Sequence, residues 1–175
     1  MRLLFAMDAR DYDPAGPAFV RDAVRAVIWD GARLAMVYSR RYLYYKFPGG
    51  GLEPGETHLA ALCRETREET GLVILPETVR PYGRVQQVQR GLWEPVFIQN
   101  SFYYLCCAAG PVGSQRLDAY EAEEGFLLRF VPPEAAMEVN RTAPPYGLDL
   151  YMVRRELRVL EQLRREGVLG KETTL

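Results

Sequence analysis

Between residues 50 and 72 the chain reads GGLEPGETHLAALCRETREETGL, and no other stretch limits the possible folds as much. It follows directly on Pro48-Gly49, and the run Pro48-Gly49-Gly50-Gly51 suits neither a helix nor a strand interior. The spacing then predicts a helix over Thr57 to Thr70, with Thr57 as its N-cap and Gly71 as the left-handed residue just past its end. At about 100° per residue, Leu59, Leu62, Cys63, Thr66 and Thr70 form one stripe that should face a core. Glu65, Glu68 and Glu69 fall together, roughly opposite that stripe.

A salt-bridged surface helix explains these glutamates poorly. Glu65 repels Glu68 and Glu69 at i,i+3 and i,i+4, each pair costing roughly 0.2–0.5 kcal/mol. Glu68 and Glu69 also sit in the last turn, against the negative end of the helix dipole, at roughly 0.3–1 kcal/mol each. Arg64 and Arg67 offset only part of this, because Arg64 to Glu68 runs in the less favourable direction. A cation held by that face removes the conflict, and a carboxylate cluster suits Mg²⁺ or Mn²⁺ rather than zinc.

The same residues resemble the signature of the Nudix hydrolase family (MutT-like): Gly, five residues, Glu, seven residues, then Arg-Glu-apolar-any-Glu-Glu-any-Gly-apolar. Here these are Gly50, Glu56, Arg64, Glu65, Glu68, Glu69, Gly71 and Leu72. Thr66 stands where an aliphatic residue is usual, on the stripe assigned to the core. The resemblance implies an α/β/α sandwich with a mixed β-sheet, and a Mg²⁺- or Mn²⁺-dependent hydrolase. Its reaction would cut a phosphoanhydride bond in a nucleoside diphosphate linked to a group X, by metal-activated water. Oxidised nucleoside triphosphates, ADP-ribose, dinucleoside polyphosphates and capped RNA ends are the substrate classes it brings with it.

The family's roles carry over position by position. Glu68 and Glu69 match the principal metal ligands, Glu65 a third ligand or the base, and the Gly49 carbonyl a backbone ligand. Arg64 counts with these glutamates in the catalytic set, and with Glu56 it matches an ion pair that ties the loop to the helix. A further metal carboxylate is expected ahead of a late strand, with Glu124 the best match and Glu121 and Glu123 as alternatives. A different class stays open beside the enzyme: a non-catalytic Nudix-fold module that senses a nucleotide without cutting it.

The rest of the chain is read from its residues. Its 175 residues suit one domain, residues 1–175, with a sizeable core. The net charge of −1 gives no global basic field and no extended nucleic-acid surface, leaving a small-molecule nucleotide as the partner. The apolar run at the N-terminus is too short for a leader, no stretch could span a bilayer, and Cys63, Cys106 and Cys107 form no C-x-x-C pair. These features point to a cytoplasmic protein with reduced thiols.

Strands are expected over Val24–Trp29 and Ala32–Ser39, joined as a hairpin at Asp30-Gly31, and over Tyr42–Phe47. Further strands are expected over Val79–Gln89, Val96–Cys107 and Phe126–Val131, with an acidic loop over Asp118–Glu124. Helices are expected over Pro133–Val139 and from about Leu148 to Glu166. The stripe of Leu150, Val153, Leu157 and Leu160 on the last helix packs on its own sheet or forms a homodimer contact. Arg40, Lys46 and Arg84 are candidates to hold substrate phosphates, with Arg41 and Arg90 behind them, and Tyr44 is a candidate to stack on a base. His58 reads as a solvated first-turn residue.

Overall fold

The computed structural model describes residues 1–109, 113–144 and 150–170. Its elements are β1 (Leu3–Asp8), β2 (Ala18–Ile28), β3 (Leu34–Ser39), β4 (Tyr44–Lys46), α1 (His58–Thr70), β5 (Val73–Ile74), β6 (Arg80–Gln89) and β7 (Val96–Cys106). There follow β8 (Ala108–Ala109), α2 (Ala119–Glu124), β9 (Phe126–Val131), α3 (Pro133–Thr142) and α4 (Leu150–Arg165). The expected start of the last helix at Leu148 lies outside the described residues.

One sheet has the order β1-β6-β7-β2 and is mixed: β1 runs parallel to β6, β6 antiparallel to β7, and β7 parallel to β2. A second, antiparallel sheet has the order β4-β3-β9. Alternation along β2 divides the interior in two. Val24, Ala26 and Ile28 pack with Ala61 and Leu62 of α1, while Val27 packs with Met137 of α3 and with Val159, Leu160 and Leu163 of α4. Helices thus cover both faces of the strands, the α/β/α arrangement expected from the sequence.

Two expectations change. Asp30-Gly31 does form a tight turn, with the Asp30 carboxylate accepting from the Ala32 and Arg33 N–H groups at 2.9 and 2.6 Å. The flanking strands, however, share only the Trp29–Leu34 bridge and then enter different sheets, because β7 and β9 supply their partners. Residues 118–124 are not a loop: Asp118 and Glu121 form a capping box that starts α2. On α4 the stripe faces the sheet of its own chain, and Arg155 and Glu156 are buried beside it.

The glycine run becomes part of the sheet. Gly50 O accepts from Val24 N at 2.9 Å, Pro48 O from Ala26 N at 2.8 Å, and Asp22 O from Leu52 N at 3.1 Å. Gly51 bridges Ala23 in antiparallel register, so residues 48–52 lie along β2. Gly49 has φ of 134°, and a Cβ there would sit 2.1 Å from Val24 O, which leaves room for glycine alone.

Candidate active site

Helix α1 begins and ends as its sequence requires. Thr57 caps it by accepting from Ala60 N, and Gly71 closes it at φ 75° with its N–H bonded to Arg67 O. The buried face is turned towards the glutamates relative to the expected stripe. Leu59 is 43% exposed, whereas Ala61, Leu62, Thr66, Glu69 and Thr70 are buried. Glu69 follows Leu62 by seven residues, two turns on, and so shares its direction.

The three glutamates therefore do not form one open acidic face. Glu69 is 1% exposed, is paired with Lys46, and accepts from Gly49 N at 2.8 Å. Burial outweighs the opposing pull of Lys46, Arg25 and the Gly49 N–H, and pushes the Glu69 carboxyl up to about 7. Lys46 is itself buried, with its ammonium 4.7 Å from the centre of the Phe126 ring. It therefore sits beside Glu69 in the interior rather than on an open phosphate-binding surface.

Glu65 and Glu68 gather on Arg64 instead. The guanidinium is a hub: Nε and Nη2 hold both oxygens of Glu56 at 2.9 and 2.8 Å, and Nη1 reaches Glu65 at 2.8 Å and Glu68 at 3.2 Å. Nη2 also donates to the Gly51 carbonyl at 3.2 Å, which fastens loop to helix. The two-pronged bond from Arg64 holds the Glu56 carboxyl below the usual carboxylate range and raises the guanidinium's own affinity for its proton. Glu65 lies directly against the loop, since a Cβ at Gly50 would stand 2.2 Å from its carboxylate oxygen.

Glu124 approaches Ser39 and Tyr44 from the end of α2, just ahead of β9. Its carboxylate accepts from Ser39 Oγ at 3.1 Å and from Tyr44 Oη at 3.0 Å. Tyr44 is buried between the charges of Glu124 and Glu69, and burial together with Glu124 raises its hydroxyl above the ordinary phenol range. It is a buried hydrogen-bond donor, not an open stacking platform. Of the alternatives to Glu124, Glu121 is buried in the α2 cap and Glu123 pairs with Arg41 on the surface.

Arg40 is exposed and packs against Gly125. Arg84 contacts Asn100 at 3.4 Å on the sheet face that carries Val24 and Phe102. His58 is half-buried, within 2.7 Å of Tyr104 Oη and 4.4 Å from the Phe102 ring centre, so it is less solvated than expected. The thiols of Cys63 and Cys106 are pushed up by burial, Cys106 to about 12. Cys63, Cys106 and Cys107 are free thiols. No described helix is long and apolar enough to cross a membrane.

Among the described residues, no three His, Cys, Asp or Glu side chains stand close enough to share an ion. The physical reason is local: Lys46 draws Glu69 inward while Arg64 draws Glu65 and Glu68 sideways. The donor set nevertheless fits a hard divalent cation. Three carboxylates, those of Glu56, Glu65 and Glu68, surround the single guanidinium of Arg64, and Glu68 remains 40% exposed. This leaves negative charge on oxygen donors beside a glycine loop.

The family model described as the NUDIX domain matches residues 20–149, so the chain belongs to the Nudix family. Its fold is similar to that of solved relatives. A MutT NUDIX hydrolase from Burkholderia pseudomallei aligns at 18% identity and TM-score 0.56, over 83% of this chain and 98% of that one. A MutT protein from Bacillus halodurans aligns at 20% identity and TM-score 0.55, over 77% of this chain and 80% of that one.

Sequence reading passed over Arg21, Arg25, Gln87, Gln99 and the pair Arg155-Glu156. Arg21 and Arg25 lie four residues apart on β2, hence on one sheet face, and Arg25 interrupts an otherwise apolar run. That interruption was the available signal. Arg155-Glu156 left none, because neighbouring opposite charges on a helix usually mark a solvated side.

Proposed function

We propose that this protein is a cytoplasmic enzyme, one domain over residues 1–175, that hydrolyses a phosphoanhydride bond in a nucleoside diphosphate linked to a second group. The observation that carries this reading is the surplus of carboxylate around Arg64 beside the glycine loop. In an enzyme of this kind Arg64 keeps Glu65 and Glu68 turned towards the loop, and the β2 ladder fixes the loop. Glu65, lying against Gly50, is positioned to accept the proton of the attacking water. Lys46 and the Gly49 N–H hold Glu69, and Tyr44 and Ser39 hold Glu124. Glu65, Glu68 and Glu69, with the Gly49 carbonyl and Glu124 at the margin, are the groups that would hold Mg²⁺ or Mn²⁺. When bound, the ion supplies neutralisation of phosphate charge and acidification of water.

A nucleotide library assayed with Mg²⁺ and with Mn²⁺ tests the reading, alongside Glu68→Gln. Turnover of at least one nucleoside diphosphate derivative is expected. It should drop at least roughly 100-fold in the variant, with the melting temperature kept. Full turnover in a folded Glu68→Gln protein sinks the assignment. One observation favours the nucleotide-sensing alternative: Glu69 already has a cation for a partner in Lys46. Saturable nucleotide binding with no hydrolysis under either metal would establish it.

A further inference from the structure

Arg25 is 7% exposed, and its Nε and Nη1 are buried without a hydrogen-bond partner. A buried guanidinium left this way is costly, because its donors have lost water and gained nothing in return. Its surroundings give it a purpose. It lines a cavity of about 160 Å³ between α4 and the sheet face of β2, β6 and β7. Arg21 and Phe97 also line this cavity, with Gln87, Gln99 and Arg155. Register places these strand residues on one face: Arg21 pairs with Gln99, which pairs in turn with Gln87, and Arg25 lies two alternations further along.

The charge in this cavity is positive. Among the described residues no carboxylate lines it, and Arg155 is matched by Glu156 from behind. Arg25 at the floor and exposed Arg21 at the mouth supply planar forks of donors, the geometry that binds phosphate oxygens in pairs. The glutamines add amide donors and acceptors, and Phe97 adds an apolar wall. At about 30 Å³ per water, the space takes about five waters, enough for a phosphoryl group and part of what it carries.

The position relative to α1 is what links the two regions. A Cβ on Gly51 would lie 2.8 Å from Nε and Nη2 of Arg21, and a Cβ on Gly50 would lie 2.2 Å from the Glu65 carboxylate. Gly50 and Gly51 are consecutive and point to opposite faces, so the acidic cluster and the basic cavity flank the edge formed by residues 48–52 from its two sides. We propose that Arg25 and Arg21 form a phosphate subsite, which holds the phosphoryl group next to the one attacked beside Gly50. This rests on the hydrolase reading for its substrate, but it makes a claim about binding that stands apart from turnover.

Titration calorimetry with inorganic pyrophosphate, in EDTA so that no metal takes part, tests the subsite. The wild-type protein, Arg25→Met and Arg21→Ala are compared, together with their melting temperatures and, for any nucleotide that is hydrolysed, KM. Binding by the wild type is expected, weakened at least tenfold in each variant. KM should rise by a similar factor, and Arg25→Met should melt close to the wild type, because Nε and Nη1 make no hydrogen bond inside the chain and only the attraction to Glu69 is lost. Arg21→Ala alters an exposed mouth residue and keeps the test valid if Arg25→Met fails to fold. Wild-type protein that ignores pyrophosphate, or variants that bind it equally, overturns the subsite, and turnover with unchanged KM would then leave the hydrolase reading intact. Arginine-dependent pyrophosphate binding without hydrolysis of any nucleotide gives the reverse: the subsite stands and the hydrolase reading falls.

Discussion

Arg25 and Arg155 line one cavity from opposite sides and are both more than nine-tenths buried, yet they are wired differently. Arg155 donates from Nε to Glu156 at 3.0 Å, from Nη2 to the same carboxylate at 2.5 Å, and from Nη1 to Gln87 at 2.6 Å. Glu156 in turn accepts from Phe47 N at 3.3 Å and Tyr103 Oη at 3.4 Å, tying α4 to the strand that leads into the glycine loop. Arg25 has no such partners on Nε and Nη1. A buried charge with its bonds made inside the chain holds the fold together, while one whose bonds are unmade is suited to a ligand. The contrast separates structure from recognition within a few ångströms, without appeal to residue type.

The largest expected effect tests the first half of that contrast. Arg155→Met strands the Glu156 carboxylate in the interior and should cost roughly 3–5 kcal/mol in urea unfolding. A loss no greater than that of Arg25→Met would break the comparison. Lys46→Met extends it to a second satisfied cation: Glu69 loses its partner, and a loss of roughly 3 kcal/mol is expected. Lys46→Met/Glu69→Gln together should recover part of it, and a double-mutant cycle reads the coupling. A smaller change belongs to Arg64→Lys, where a compact ammonium cannot reproduce the fork around Glu56. A loss of roughly 1–2 kcal/mol is expected, with lowered activity, measured by thermal melts and initial rates.

The smallest effect is a pH dependence. Glu56 is held below its ordinary range by Arg64, so it binds fewer protons folded than unfolded near its titration. Its contribution is complete above the unfolded value of about 4.3 and is lost as pH falls through the depressed folded value. The stability difference between wild type and Glu56→Gln should therefore be flat from pH 7 to 5 and shrink at lower pH. A difference that grew on acidification would contradict the ion pair.

What could be read beforehand followed local signals. The ends of α1 were legible because Thr57 and Gly71 act on their own neighbours, and β9 because its β-branched and aromatic residues stand between turn formers. Strand β1 was not, because six residues of LLFAMD become a strand only through parallel pairing with β6, some eighty positions away. Residues 18–23 of β2 were missed for the same reason, with β7 as the distant partner. The acidic set on α1 was legible as a list of residues, but its geometry was not. Helical angle placed Glu69 with Glu65 and Glu68, but Glu69 also follows Leu62 by two turns, and Lys46, arriving on β4, supplies the buried partner for its inward turn.

The hydrogen bonds from Val24 and Ala26 to residues 48 and 50 have a dynamic consequence. β2 ends the sheet order and residues 48–52 lie along its free side, so these two amides stay protected only while the glycine run is docked. Their exchange therefore reports the docking of the glycine run itself. Amide exchange at Val24 and Ala26 should be much slower than in exposed loops, and loop-like rates there would mean that the run lifts off the strand.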